Sequence, residues 1–415
     1  MNSGGVAGPN PKAPSRHAVT FVLISVLLDV VGFGLIIPVL PQLIEEVGGL
    51  GLADAAKIGG WMFFAFSVAQ FACSPLMGNL SDRFGRRPLL LLAIAGLGLD
   101  NLLQALAPSL FWLFVGRVIA GVCGSSWVIA NAFITDVTAP EARAKYFGLL
   151  GACFGLGFVI GPAIGGLLGA FGPRVPFYVA AVISGLNLIY GWFVLPETLA
   201  RENRRAFLWR RSNPFGAFAV FRSYKGVLPM CAVLFVYMFC TAIYPAIWPF
   251  WGMTKFGWST AMVGVSLALF GIVMAVFQGG LAGPAAARFG ERRMVLLGLI
   301  TGVFGLLGYG FAWGLLPVVV LMVLHGPEGF VHPMLVAMMT KNVPADAQGE
   351  LQGGIAAIMS VAMLTGTVFF SQSFGYFAAQ GGRFAADIPF FMAAAVCAIA
   401  LALYVLLLRS EEKKP

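Results

Sequence analysis

A short charged stretch separates two long apolar segments of this chain: residues 78–88 read Gly78-Asn79-Leu80-Ser81-Asp82-Arg83-Phe84-Gly85-Arg86-Arg87-Pro88. Residues 59–77 before it and residues 89–99 after it contain no charged side chain. A chain folded in water has no reason to alternate in this way, whereas a polar turn between two apolar helices is what a membrane hairpin requires. The stretch therefore predicts a turn between two membrane-spanning helices.

The composition of the whole chain is that of a protein embedded in a bilayer. Hydrophobic residues make up 59% of its 415 residues and charged residues 10%, and the mean hydropathy is +0.89. Soluble domains are about a quarter charged, and a helix needs roughly 20 apolar residues to cross the bilayer. The sequence predicts twelve such helices, near residues 18–39, 59–80, 89–107, 110–135, 146–170, 176–195, 228–250, 261–285, 294–313, 316–339, 351–378 and 388–408.

Positive charge is concentrated on one side of these predicted spans. The net charge is +9, and 21 of the 26 Lys and Arg residues fall in the tails, the central linker and the loops on the side of the amino terminus. Four fall on the opposite side, and Arg117 lies inside a span. Because Lys and Arg accumulate in cytoplasmic loops, both termini are predicted to be cytoplasmic, in a multi-pass protein of the inner (plasma) membrane. The basic charge then faces anionic membrane lipid rather than nucleic acid.

The chain also contains two related halves. A shift of 205 positions places Gly78 on Gly283, the triplet 83–85 on the identical triplet 288–290, and Gly161 on Gly366. One offset that holds over roughly 80 residues indicates duplication of a six-helix unit. The predicted fold is an all-α membrane protein with twelve transmembrane helices in two pseudo-symmetric six-helix halves. Its predicted segments are a tail (1–17), the first half (18–200), a basic linker (201–225), the second half (226–408) and a second tail (409–415).

Asp29, Asp100 and Arg117 of the first half lie inside predicted spans, where a charge without a partner is costly and is by default a candidate for function. Asp29 follows Leu28 in the first predicted span, and an ion pair with loop cations is the alternative role for it. Arg117 lies in the fourth predicted span and is expected to find a carboxylate, backbone carbonyls or water.

Small residues recur every four positions in the fifth predicted span, at Gly157, Gly161 and Gly165, with Pro162 beside them. Residues four apart lie on one face of a helix, and a face without side chains permits close contact with a neighbouring helix. The pattern by itself predicts tight packing.

The tenth predicted span contains His325, Glu328 and His332 at spacings of three and four, which would place them on one helical face. A histidine titrates near neutral pH, and burial can bring a glutamate toward the same range. Proton or substrate handling is therefore predicted for this cluster. A structural polar cluster is the first alternative, and a metal site is the weaker second one because three such ligands on one helix are sparse.

Together these motifs resemble the major facilitator superfamily, and within it the tetracycline-resistance type of drug/H⁺ antiporter. The 78–88 stretch is similar to the loop between the second and third helices of that superfamily. Further similar segments are 28–41, 70–75, 116–121, 136–143, 155–166, 283–293 and 348–353. The resemblance implies alternating access, with substrate bound between the two halves near the middle of the membrane.

The residues and the resemblance together assign three groups of candidate functional residues. Proton coupling or substrate binding is expected of Asp29, Gln70, Asp100, Arg117, Gln278, His325, Glu328 and His332. A conformational latch, or alternatively a plain positively charged turn, is expected of Gly78, Asp82, Arg83, Gly85, Arg86, Arg87, Asp136, Glu141 and Arg143. The family associates the motif that contains Gly157, Gly161, Pro162 and Gly165 with antiporters that export.

The chain departs from the resembled family at two positions. A carboxylate of the ninth helix aligns with Gly302, and a histidine of the eighth helix aligns with Met274. These losses predict that tetracycline itself is a poor substrate, and Glu328 is the candidate replacement for the missing carboxylate.

The predicted function is a proton-coupled exporter of hydrophobic or amphipathic small molecules, and the alternative is an importer or facilitator of a metabolite or organic anion. An enzyme is not expected, because the chain has no P-loop and no G-x-S-x-G motif. No cofactor and no resident metal are predicted. The partners expected are protons, a small-molecule substrate and membrane lipid, for a protein that acts as a monomer.

Overall fold

The structure is a computed structural model, and it describes residues 16–124, 126–138, 140–207, 226–344 and 347–412. Most of the predicted first tail and residues 208–225 of the predicted linker therefore lie outside the described residues. In the described part of the chain all regular structure is helical, and twelve segments are long and apolar enough to cross a membrane. The predicted number of spans is confirmed.

Six spans belong to each half. The spans of the first half are Arg16–Ile36, Leu52–Phe84, Arg86–Leu106, Leu110–Cys123 continued by Ser126–Val137, Pro140–Gly169, and Val175–Val194. A short helix, Leu40–Gly48, follows the first span, and a 3₁₀ turn, Arg201–Asn203, follows the sixth. We call the end of the bundle where the first span begins and the twelfth ends the terminus end, and the opposite one the far end.

Three of the six spans in the second half are interrupted. The seventh consists of Val227–Thr241 and Ile243–Phe256, and the eighth of Thr260–Met274, a π-helical segment Ala275–Leu281, and Ala282–Phe289. The ninth is Glu291–Phe311, and the tenth consists of Leu315–His325, a 3₁₀ segment Gly326–Phe330, and Val331–Lys341. The last two are Gln348–Gln380 and Ile388–Glu412.

The turns that join spans two to three and eight to nine share an unusual backbone geometry. Gly85 has φ 108° and ψ 162°, and Gly290, its counterpart at the offset of 205, has φ 83° and ψ 148°. Only glycine adopts these angles without strain. In both turns the preceding arginine lies over the ring of the next residue, 5.1 Å from the centroid for Arg83 and 5.3 Å for Arg288. This equivalence supports duplication of one unit.

The glycine face of the fifth span packs against the first span. A Cβ built on Gly157 would lie 2.8 Å from Cβ of Val30, and one built on Gly161 would lie 2.7 Å from the carbonyl oxygen of Val31. A Cβ on Gly165 would lie 2.6 Å from Cα of Leu35. All three distances are too short for a real side chain, so the two helices could not approach this closely with larger residues.

Two pairs of spans hold the halves together, and their closest contacts lie toward the far end. The fifth span contacts the eighth, where Thr260 Oγ1 donates to the carbonyl oxygen of Gly166 at 3.1 Å. The second span contacts the eleventh, where Gln372 Nε2 donates to the carbonyl oxygen of Lys57 at 3.0 Å. Both hydrogen bonds found between described residues of the two halves are therefore at the far end.

Substitution of Gly161 tests the close contact between the first and fifth spans. We expect Gly161→Ala to destabilise the folded protein by about 1 to 3 kcal/mol, because its methyl group meets the backbone of the first span. Gly155→Ala is the matched control, since no atom lies within 4 Å of a Cβ at Gly155 and alanine favours helix. Thermal unfolding of the purified variants in detergent gives the comparison, and equal unfolding temperatures for the two would contradict the assigned contact.

Candidate functional site

A buried ion pair connects the third and fourth spans. Asp100 Oδ2 lies 2.7 Å from an Nη of Arg117, and the side chains are only 2% and 7% exposed. Gln104 Nε2 donates to Asp100 Oδ1 at 3.0 Å. Gly116 makes room for this group, since a Cβ there would lie 2.6 Å from Asp100 Oδ1. The carboxylate that Arg117 was expected to find is thus Asp100, and removal of either partner would leave the other charge buried alone.

Asp29 lies apart from this ion pair and makes a different contact. Its carboxylate is half-buried and accepts a hydrogen bond from Ser126 Oγ at 3.3 Å. Ser126 is the first residue after the break in the fourth span. Among the described residues no ion pair is found for Asp29, so the alternative of a pair with loop cations gains no support.

A second buried pair lies in the tenth span. His325 Nε2 is 2.8 Å from Glu328 Oε2, and their side chains are 0% and 3% exposed. Because a carboxylate oxygen accepts, the hydrogen between them belongs to Nε2, and in the neutral imidazole Nδ1 is left to accept from the Tyr309 hydroxyl at 3.4 Å. Tyr244 Oη lies 3.2 Å from Nε2 and donates to Glu328 Oε2 at 3.5 Å. This arrangement holds an imidazole, a carboxylate and two phenol hydroxyls within hydrogen-bonding distance of one another.

One oxygen of this pair has no partner. Glu328 Oε1 is buried without a hydrogen-bond partner among the described residues, which is uncommon in folded proteins. It faces the ninth span, where a Cβ built on Gly302 would lie 3.6 Å from it. A Cβ on Gly305 would lie 2.6 Å from the ring of His325. The two glycines therefore form a slot that accommodates the His325–Glu328 pair.

The predicted part of His332 in this cluster stays a prediction. No hydrogen bond or ion pair is found between His332 and either residue in the described part of the chain. The 3₁₀ segment has three residues per turn, which aligns positions three apart such as His325 and Glu328 but rotates later positions away from that face. Sequence spacing assumed an uninterrupted α-helix.

Tyr309 was not predicted as a site residue, although the sequence contained a signal for it. Its counterpart at the offset of 205 is Gln104, which contacts Asp100 as Tyr309 contacts His325. Comparison of the two halves position by position could have identified both polar neighbours.

The two glutamines predicted to belong to the site both bind backbone carbonyl groups. Gln70 Nε2 donates to the carbonyl oxygen of Gly124 at 3.3 Å, in the break of the fourth span. Gln278 Nε2 donates to that of Gly329 at 3.4 Å, in the 3₁₀ segment of the tenth span. Neither glutamine contacts the buried ion pairs directly through a hydrogen bond found among the described residues.

The predicted latch residues gather around Arg86 at the terminus end. An Nη of Arg86 is 2.6 Å from Asp82 Oδ1, and its Nε donates to Asp136 Oδ2 at 3.0 Å. The backbone N–H of Arg86 donates to Glu197 Oε1 at 2.9 Å, so the end of the sixth span joins the cluster. All of these contacts lie within the first half. The corresponding positions of the second half carry the opposite charges. Glu291 stands in place of Arg86 and Lys341 in place of Asp136, and the two pair at 2.7 Å.

The remaining predicted latch residues lie around this cluster rather than within it. Arg87 donates to the carbonyl oxygen of Trp192 at 2.6 Å, and Arg143 donates to that of Thr135 at 3.3 Å. Arg83 lies over Phe84, and Gly78 faces the side chain of Val128. The side chain of Glu141 lies outside the described residues.

A polar group at the far end ties together three spans of the second half. Lys255 Nζ lies 2.7 Å from Asp387 Oδ1 and donates to the carbonyl oxygen of Gly310 at 2.9 Å, and Trp251 Nε1 donates to the same carboxylate oxygen at 2.8 Å. Burial raises the pKa of the Asp387 carboxyl, and the hydrogen bonds from Lys255 and Trp251 oppose that rise. These contacts close the end of the ninth span and have a structural role.

No group of three or more His, Cys, Asp and Glu side chains suited to a metal ion is found in the described ranges.

An open cavity of about 940 Å³ lies at the terminus end of the second half, where its lining includes Met230, Arg292, Arg293, Met338 and Lys341.

Comparison with known proteins identifies the family. The Major Facilitator Superfamily family model matches residues 22–281 and 229–415. Tetracycline resistance protein, class C, from Escherichia coli is 39% identical over 85% of this chain and 88% of that protein. The class G protein of Vibrio anguillarum is 34% identical over 86% and 90%.

Solved structures agree on the fold. The human organic anion transporter MFSD10 (TETRAN) is 24% identical with a TM-score of 0.69, over 94% of this chain and 99% of that one. A bacterial homolog to the human lysosomal transporter Spinster, in an inward-facing and occupied conformation, is 15% identical with a TM-score of 0.77, over 97% and 98%.

These matches confirm the predicted fold and the predicted resemblance, and they favour export over the alternative of an importer or facilitator. The protein is a multi-pass inner-membrane transporter of a small molecule, and not an enzyme. The chain belongs to the major facilitator superfamily.

Proposed function

We propose that this protein exports hydrophobic or amphipathic small molecules in exchange for protons by alternating access, as a monomer. The observation that carries the proposal is the buried His325–Glu328 pair, with its unpartnered Glu328 oxygen, inside a membrane span. A carboxylate at that depth is costly unless it is paired or protonated, so a site that holds one indicates proton or ion movement. Asp29 and the Asp100–Arg117 pair are the corresponding candidates in the first half.

The orientation and the state of the transporter follow from charge and contacts. The excess of Lys and Arg at the terminus end supports a cytoplasmic location for both termini, where these side chains also face anionic lipid. With that orientation, the contacts between the halves at the far end close the side away from the cytoplasm. We assign this structure to the state that is open to the cytoplasm, from which an exporter loads its substrate.

The substrate class follows from side chains exposed on the terminus-end parts of the fourth and eighth spans. Trp127 and Val128 of the fourth span and Val276 of the eighth are 40%, 37% and 50% exposed, and Gln278 is exposed two residues after Val276. An apolar surface with an amide suits ligands that are mainly hydrophobic with a few hydrogen-bonding groups. Tetracycline is the substrate of the resistance proteins named above, and Gly302 and Met274 continue to predict weak transport of it here.

Proton coupling is tested with the purified protein in liposomes. We expect efflux of a lipophilic fluorescent dye to speed up severalfold when an inward proton gradient is imposed, with tetracycline transported more slowly than the dye. A protonophore should remove the acceleration. Dye transport that ignores the gradient would overturn antiport and leave facilitated diffusion.

Glu328→Gln is expected to abolish the pH dependence of transport while insertion and folding are retained. Glutamine keeps the shape of the side chain and its place in the slot at Gly302, but it does not titrate. The readout is the rate of dye exchange as a function of pH, with yield and unfolding temperature as checks on folding. His332→Gln is the matched control, because His332 is on the same span without a contact to the pair, and it should keep the wild-type pH profile.

An unchanged pH profile for Glu328→Gln would show that the His325–Glu328 pair is structural. Coupling would then depend on Asp29, Asp100 and Arg117.

Asp82→Asn is expected to reduce turnover several-fold and to leave equilibrium binding of substrate nearly unchanged. Asp82 belongs to the Arg86 cluster at the terminus end, and a weaker cluster alters the balance between the two states rather than the binding surface. The matched control is Ala287→Ser, at the corresponding position of the second half. Binding measured by tryptophan fluorescence and transport measured in liposomes separate the two effects. A parallel loss of binding would assign Asp82 to the substrate site instead.

A further inference from the structure

The fourth and tenth spans are both interrupted, and the two interruptions overlap at Gly124 and Gly329, which are 205 positions apart. The break in the fourth span follows Gly121-Val122-Cys123-Gly124, and the 3₁₀ segment of the tenth begins with Gly326-Pro327-Glu328-Gly329. Every residue of the second stretch is 205 positions after its partner in the first. Two glycines, three apart, therefore occur at the break of a span in each half.

Each break also packs against the span that flanks it. A Cβ on Gly121 would lie 2.7 Å from Cβ of Ala69 in the second span. A Cβ on Gly326 would overlap the ring of Phe277 in the eighth span. The contacts involve the same pair of spans in the two halves, so the breaks are held in equivalent surroundings.

An amide side chain reaches the last glycine of each break. Gln70 donates to the carbonyl oxygen of Gly124, and Gln278 donates to that of Gly329. Each glutamine stands 18 residues after the first residue of its span, Leu52 or Thr260. A break in a helix leaves carbonyl groups without their usual partner, and in a membrane another group must satisfy them. The two glutamines satisfy corresponding carbonyl groups, although at the offset of 205 Gln70 itself corresponds to Ala275 rather than to Gln278.

The two breaks differ at their third residue. Cys123 in the first half corresponds to Glu328 in the second, and each is directed toward the neighbouring odd-numbered span, Cys123 toward Gly96 and Glu328 toward Gly302. The corresponding position therefore carries a thiol, Cys123, in one half and the coupling carboxylate, Glu328, in the other.

We infer that Gln70 and Gln278 are positioning residues that bind corresponding carbonyl groups of the interrupted fourth and tenth spans, and that Gln278 alone thereby sets the proton exchange of a carboxylate, Glu328. This inference rests on the proposed function. Gln278 acts through the Gly329 carbonyl, one residue from Glu328, and fixes the turn that keeps the carboxylate against the ninth span. Gln278 is itself exposed and lies in the π-helical segment, a local distortion that is frequent at functional sites.

Titratable groups from four spans surround Glu328, so its behaviour depends on how the turn is placed among them. They are Tyr237, Cys240 and Tyr244 of the seventh span, Tyr309 of the ninth, His325 of the tenth and Cys397 of the twelfth. Loss of the hydrogen bond from Gln278 to the turn changes the distances between Glu328 and all of these groups together. It also admits water from the open side of Gln278, which favours the ionised carboxylate.

The test compares Gln278→Leu with Gln70→Leu in the liposome exchange assay across a range of pH. For Gln278→Leu we expect the midpoint of the pH profile to move to lower pH by at least about half a unit, the size of effect that loss of one hydrogen bond produces. For Gln70→Leu we expect a slower rate with the wild-type midpoint, because Cys123 takes the place of the carboxylate in that break. If Gln278→Leu fails to insert, Gln278→Ser, which is polar but too short to reach the carbonyl, carries the same comparison.

Equal midpoints for the wild type and the Gln278 variant, or equal shifts for both glutamine variants, would overturn the inference. An exchange rate of the wild-type protein that does not change with pH would instead overturn the proposed function. The two failures are therefore distinguishable.

Discussion

The cost of leaving a charged group alone in hydrocarbon determines how this protein is arranged. Each carboxylate and cation buried in the spans has a partner within hydrogen-bonding distance: Asp100 has Arg117, and Glu328 has His325. Room for these groups comes from missing side chains nearby, at Gly116 for the first pair and at Gly302 and Gly305 for the second. These glycines of the fourth and ninth spans are thus part of the charged sites, although they contribute no chemistry of their own.

Duplication preserved backbone geometry and allowed charge to diverge. Gly85 and Gly290 keep the same conformation, and the breaks at Gly124 and Gly329 keep the same amide contact. The side chains that ionise are not shared in this way. The positions that correspond to Asp100 and Arg117 are Gly305 and Met322, and the pair Arg86–Asp136 recurs with reversed sign as Glu291–Lys341. The two halves therefore share backbone conformation but differ in their ionisable side chains. An exchange of two different solutes requires such a difference.

The sequence predicted the features that depend on local pattern. Prediction failed where the helices are interrupted. Span number follows from apolar length, and the close contact of Gly157 and Gly161 with the first span follows from spacing. The pairing of His325 with Glu328 was also accessible, because three residues apart are neighbours in both α- and 3₁₀-helices. Spacing alone does not place His332 relative to that pair, because the 3₁₀ segment changes the rotation per residue. The partners of Gln70 and Gln278 were inaccessible, since a backbone carbonyl freed by a break leaves no trace in side-chain pattern.

The interface between the halves has the properties that a reversible contact needs. Its hydrogen bonds at the far end both use backbone carbonyl oxygens as acceptors, and the surrounding surfaces are formed by Gly166, Gly264 and Gly60 packed against backbone and small side chains. Such a surface gains stability from close packing rather than from charge, and packing of this kind can be lost at one end and regained at the other for little net change in free energy. Among the described residues, ion pairs are instead found only within each half, where they do not have to break as the halves rock. A change in protonation at Glu328 can then bias two states of similar free energy, which a rigid, salt-bridged interface would not allow.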